Sequence, residues 1–147
     1  LPFPTLPDPG AELVISGSVV HGEKRGRALG FPTANIALAL GNPFPPEGVY
    51  CSVARFSHRD TLYGATVSVG TNPTFPDIAS IRVEAHIHDL DELLYGFGAE
   101  LRLLRRLRDM RRFTSVEALI AQMESDVRQS RQLLVDRVPG RLSPGQG

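Results

Sequence analysis

Apolar positions recur along this chain in short runs. "LVISGSVV" (13–20), "GVYCSVARF" (48–56), "YGATVSVG" (63–70), "IRVEAHIH" (81–88) and "AELRLLRRL" (99–107) are each bounded by Gly, Pro, Asp or Ser. Such runs, with such punctuation, predict strands. In "RVEAHIH" the alternation puts Val83, Ala85 and Ile87 on one side and Arg82, Glu84, His86 and His88 on the other. "NIALAL" (35–40) adds a candidate sixth strand, and "ELRLLRRL" also fits a helix. The connections are too short for repeated crossovers, so antiparallel pairing is expected. Six short strands with open edges predict closure into a small barrel.

The last patterned stretch changes period. "FTSVEALIAQMESDVRQSRQLL" opens on Thr114-x-x-Glu117, the spacing of a capping box. Val116, Leu119, Ile120, Met123, Val127 and Leu134 then follow a helical stripe. A helix over 114–134, about five turns long, is expected to pack on the barrel, and its Met and Leu positions read as core. The fold class expected is therefore all-β with a C-terminal helix. No internal repeat is visible. Residues 1–12, "LPFPTLPDPGAE", are proline-dense and read as a linker or docking arm. Residues 13–136 form the one expected domain, and 137–147 read as a flexible tail.

Composition narrows the class without naming a function. The 147 residues suit one domain, and 41% hydrophobic with 22% charged residues is ordinary for a globular protein. Zero formal net charge gives no global attraction to nucleic acid or membrane. No apolar run is long enough to span a bilayer as a helix, and no signal peptide is apparent. A lone cysteine, Cys51, excludes an internal disulfide and fits a reducing, cytoplasmic setting. Opening on Leu1 rather than Met suggests a piece of a longer chain.

Four groups of residues can carry chemistry. Pro32 has a fixed φ and biases Phe31 toward extended geometry, so it makes a stiff corner. Behind it Thr33 and Asn35, two apart, point to one side of an extended segment. A neutral hydroxyl and carboxamide suit Mg²⁺, which leans on substrate phosphates for further ligands. A local turn that satisfies the backbone is the alternative reading. Before the corner, "HGEKRGRALG" combines glycines with Lys24, Arg25 and Arg27, which suits an anion or simply a solvated basic turn. Glu84 is a carboxylate on a strand, placed to take a proton from a hydroxyl or to be an ordinary surface acid. His86 and His88 share its parity and raise a transition-metal site, for which no third ligand is evident. Finally, six arginines fall between Arg102 and Arg112. They suit phosphates, nucleic acid or a salt-bridged sheet face. As a set, these groups are what phosphoryl transfer requires: anion binding, charge neutralisation and a group that readies the acceptor.

In the same order the motifs resemble the riboflavin kinase (flavokinase) family, most nearly the kinase module of bacterial bifunctional riboflavin kinase/FAD synthetases. "GFPTANI" (30–36) is the most specific. "GSVVHG", "PPEGVY", "SVGTNPTF", "VEAHIHDLDELLYG" and "LRDMRRFTSVEALIAQMESDV" complete a match from Val14 to Leu134. The resemblance implies a six-stranded antiparallel Greek-key barrel that transfers the ATP γ-phosphoryl group to the 5′-hydroxyl of riboflavin, giving FMN and ADP. It implies Thr33 and Asn35 as Mg²⁺–ATP contacts, Gly22 and Arg27 near the nucleotide phosphates, and Glu84 as base. It places Ile87, Tyr95, Arg108, Arg111 and Phe113 near the flavin. It also implies a linked N-terminal FMN adenylyltransferase domain, and no nucleic-acid or membrane partner. One departure stands out: "RDMRRF" carries Arg111 and Arg112 where the family usually has an acidic residue near the phenylalanine. That departure keeps a non-catalytic flavin-binding module in view, and the arginines keep a nucleic-acid-binding barrel in view.

Overall fold

A computed structural model describes residues 13–20, 32–43, 45–71, 81–90, 92 and 94–135. Six strands, β1 (Leu13–Val20), β2 (Ala34–Leu38), β3 (Gly48–Phe56), β4 (Tyr63–Thr71), β5 (Ile81–Ile87) and β6 (Gly98–Arg108), precede one helix, α1 (Val116–Val135). Every expected strand is present, and the ambiguous "ELRLLRRL" lies within β6. "NIALAL" forms β2 but stops at Leu38, leaving Leu40 92% exposed.

The strands close in the order β1-β2-β5-β4-β3-β6, every pair antiparallel. β3, β4 and β5 form a meander, and β6 returns to lie beside β3, which is the Greek-key arrangement. Closure pairs both edges of every strand and leaves none to template association. One end of the barrel carries Val20, Ala34, Phe56, Tyr63, Ile87 and Gly98, hereafter the near end. The far end carries Leu13, Leu38, Gly48, Ile81 and Arg108.

Alternation fills the barrel. Ile15, Val19, Ile36, Tyr50, Phe56, Val67, Val69, Val83, Ala85, Leu101 and Leu103 point inward and are buried. β3 departs from alternation because it is buried on both faces. Its outward Cys51 and Val53 form a second cluster with Leu104 and Leu134 beneath α1. Gly64 permits that contact. A Cβ there would stand 2.9 Å from both His88 Nδ1 and Leu134 Cδ1.

The helix differs from its expected form in two respects. Its cap is Ser115, whose Oγ accepts from Ala118 N at 3.1 Å, while Ser115 O accepts from Leu119 N at 3.2 Å. Thr114 therefore sits one residue outside the cap. Glu117 lies in the first turn, where a carboxylate favours the helix dipole, but is not the capping-box partner. The buried line is Asp126, Ser130 and Leu134, spaced by four. Of the predicted apolar stripe only Leu134 is fully buried, and Val116 is 48% exposed. Two guanidinium–carboxylate forks strap the helix down. Arg108 of β6 donates to Asp126 through Nε (2.8 Å) and Nη2 (2.7 Å). Arg131 of α1 donates to both oxygens of Asp89 at 3.0 Å. Asp89 has φ 61°, a left-handed conformation that aspartate tolerates.

Candidate active site

The outer face of the barrel carries the candidate chemistry. Ile36, Val83 and Ala85 fill the interior, so Asn35 and Glu84 face outward. Pairing sets Asn35 of β2 directly across from Glu84 of β5, and Ser68 of β4 across from Glu84 on its other side. Thr33, just before β2, brings its Oγ1 to 3.4 Å from Glu84 Oε1. Hydroxyl, amide, carboxylate and a second hydroxyl thus lie together, all half-buried. The 3.4 Å contact is at the long limit for an O–H···O bond, so it holds the carboxylate loosely.

His86 follows Glu84 on the same face of β5. Its Nδ1 lies 2.9 Å from the carbonyl oxygen of Pro32. A carbonyl only accepts, so this nitrogen carries the proton. Burial lowers the pKa of His86, with the Pro32 bond acting against the shift. His88 lies beyond the end of β5, and α1 covers it. It is 4% exposed, with Nε2 2.8 Å from Thr66 Oγ1. Thr66 Oγ1 in turn donates to Ser130 Oγ at 3.0 Å. Burial first, then Arg131 and His86, lower the pKa of His88 to about 3. The two imidazoles are therefore engaged by the protein. Among the described residues no cluster of three or more His, Cys, Asp or Glu forms a metal site.

The row through Glu84 continues round the barrel as Ser68–Val49–Arg108. Arg108 lies at the far end, tied to Asp126, and its guanidinium lies 5.9 Å from the Phe113 ring centroid. Arg111 lies 5.5 Å over the same ring and donates to Gln122 Oε1 at 3.2 Å. Gln122 Nε2 donates to Asp126 at 3.0 Å. Arg106 bonds Glu47 O and pairs with Asp109 at 2.7 Å. These arginines are largely spent on local partners. The expected flavin-side residues do not form one cluster. Arg108, Arg111 and Phe113 gather at the far end. Ile87 is buried in the core at the near end, and Tyr95 packs against that core in the turn before β6. Gly22 and Arg27 lie outside the described residues. Ser68, His86, Gln122 and Asp126 complete the arrangement without having been singled out for these roles. Their signal was parity for the first two and helical spacing for the others, legible only once partners across the barrel are known.

The chain and its barrel have known counterparts. A model of the Flavokinase family, riboflavin kinase, matches residues 9–134. The bifunctional riboflavin kinase/FMN adenylyltransferase of Listeria monocytogenes is 37% identical over 122 residues, 83% of this chain and 38% of that protein. A Streptococcus pneumoniae structure described as a macrolide-efflux protein superposes with TM-score 0.74 at 38% identity, covering 83% of this chain and 39% of that one. The riboflavin kinase of Trypanosoma brucei superposes with TM-score 0.60 at 26% identity, covering 84% and 80%. The chain belongs to the riboflavin kinase family. It spans less than half the length of the Listeria relative it matches. No helix among the described residues is long and apolar enough to cross a membrane.

Proposed function

We propose that this domain is a riboflavin kinase, transferring the γ-phosphoryl group of ATP to the 5′-hydroxyl of riboflavin. The hydroxyl oxygen bonds to the γ-phosphorus, the bond from that phosphorus to the bridging oxygen breaks, and ADP leaves. Glu84 accepts the hydroxyl proton. The observation that carries this reading is the Glu84 carboxylate on the open outer face, opposite Asn35 and beside Thr33. A fixed strand gives the base the placement that general-base catalysis needs.

The donor set suits Mg²⁺. Thr33 and Asn35 would offer two neutral oxygens to the ion, and the nucleotide phosphates and water would supply its other ligands. When bound, the ion neutralises charge on the phosphates. The protein holds the two oxygens on a proline-stiffened corner.

The nucleotide is assigned to the near end, where Val20 and Pro32 flank the segment containing Gly22 and Arg27. The flavin is assigned to the far end, approached by Arg108, Arg111 and Phe113, with Glu84 between the two. Ile87 and Tyr95 then support the near end from the core. The extra length of the relatives supports a linked FMN adenylyltransferase domain in the natural protein. A cytoplasmic site fits Cys51, buried and the one cysteine of the sequence, which forms no internal disulfide.

The direct test is incubation with riboflavin, ATP and Mg²⁺, followed by chromatography. FMN should form, and omission of Mg²⁺ should abolish it. A second reading, a flavin-binding module without catalysis, draws on the engagement of Arg108 and Arg111 with α1. Flavin bound with no FMN formed would decide for it.

A further inference from the structure

Proline has no N–H, so the Pro32 corner can be tied across the sheet only through its carbonyl. That carbonyl is held by His86 Nδ1 at 2.9 Å. His86 stands two residues beyond Glu84 on the same outward face of β5, so one strand carries both the carboxylate and the tie to the corner. The Thr33 hydroxyl cannot fix itself, because its contact with Glu84 is 3.4 Å long. Its place is set by the backbone immediately before it, and among the described residues the side-chain bond on that backbone is the one from His86. Asn35, by contrast, is held by β-pairing on both sides, to Val20 and to Glu84.

We infer that His86 is a positioning residue, fixing the Pro32–Thr33 corner so that the Thr33 hydroxyl and the Glu84 carboxylate keep their mutual placement. His86 touches neither substrate in this account. The role rests on the riboflavin kinase reading above, and it goes beyond that reading by assigning a purpose to a histidine that the phosphoryl transfer itself does not use.

Two variants test it. His86→Leu removes the donor and keeps most of the bulk. His86→Asn keeps an amide N–H near the position of Nδ1. Three readouts are taken: FMN formation, Mg²⁺·ADP binding by calorimetry, and thermal unfolding. His86→Leu is expected to lower kcat by about ten- to a hundredfold, the scale of a small misplacement. Its KM for riboflavin should stay within about twofold and its Mg²⁺·ADP affinity should fall roughly tenfold. His86→Asn should recover most of both losses. Unchanged kcat and Mg²⁺·ADP affinity in His86→Leu overturns the inference. So does an equal loss in the two variants, since bulk rather than the hydrogen bond would then matter. If the unaltered chain binds Mg²⁺·ADP yet makes no FMN, the activity reading fails by itself. His86 is then decided on the binding arm, where equal affinities overturn it. An unaltered chain that binds no Mg²⁺·ADP overturns both.

Discussion

Two stretches of the barrel's outer face have the same strand parity and opposite fates. On β2, β5 and the edge of β4, Asn35, Glu84 and Ser68 lie side by side and half-exposed. One step along, on β4, β3 and β6, α1 covers the surface. There the polar groups are consumed by each other: Thr66 with His88 and Ser130, and Arg108 with Asp126 and Gln122. No buried side-chain nitrogen or oxygen is left without a partner among the described residues. Covered polar groups must be paired, because an unpaired one carries a desolvation cost. Uncovered groups face no such demand and keep the capacity to engage a substrate. The Glu84 carboxylate has one long contact among the described residues, and that looseness is what a base needs before its substrate arrives.

Substitutions on the two sides should therefore fail differently. The largest effect belongs to the open side. Glu84→Ala should reduce kcat for FMN formation by about a hundred- to ten-thousandfold. Stability should change by only a few tenths of a kcal/mol, as for other surface positions. Turnover within tenfold of the unaltered protein would erase the contrast.

The covered side should answer in stability. Asp126 is 5% exposed and its partner Arg108 18%. Asp126→Ala strands the guanidinium and should cost about 3 kcal/mol, read from chemical denaturation. A loss under about 1 kcal/mol would show the fork to be no better than a surface pair.

Acid sharpens the contrast further. His88 is held neutral in the fold, its pKa lowered to about 3 from 6.5 by burial, then by Arg131 and His86, with Asp89 opposing. Below pH 6.5 the unfolded chain takes up this proton and the folded chain does not, so stability falls as pH falls. Between pH 6.5 and 5 the loss should approach about 2 kcal/mol. His88→Gln should flatten that slope in denaturation curves measured across the window. An unchanged slope would assign the acid response to other groups.

The smallest effect separates two adjacent hydroxyls. Ser115→Ala removes the helix cap and should cost about 1 kcal/mol. Thr114→Ala should cost only a few tenths. The reverse order in thermal unfolding would restore the capping box to Thr114.

Much of this was readable from the chain alone, and the misreadings share one cause. The strands of "GVYCSVARF" and "IRVEAHIH" were legible because a short apolar run bounded by turn residues and, in the second, period-two alternation are properties of neighbours in sequence. His88 continued that alternation on the side of Arg82, Glu84 and His86. Its burial comes from α1, whose Ser130, more than forty residues later in the chain, lies in its hydrogen-bond network. The helical stripe was read from apolar letters, yet the line that meets the barrel includes Asp126 and Ser130. Polar residues can be buried there because their partners, Arg108 and Thr66, wait on the strands. That Ile87 and Arg108 lie at opposite ends of the barrel likewise follows from strand direction, which closure sets.

Sequence by itself determined the local terms: where strands run, which side each residue takes, where proline stiffens the chain, and that Thr33, Asn35 and Glu84 have complementary chemistry. Only the tertiary structure decided which outward residues meet water and which meet the helix, and that His86 reaches back to Pro32. The physical reason is that dihedral preference and alternation act between neighbours, whereas burial and hydrogen-bond partnership depend on groups that closure brings together from distant parts of the chain.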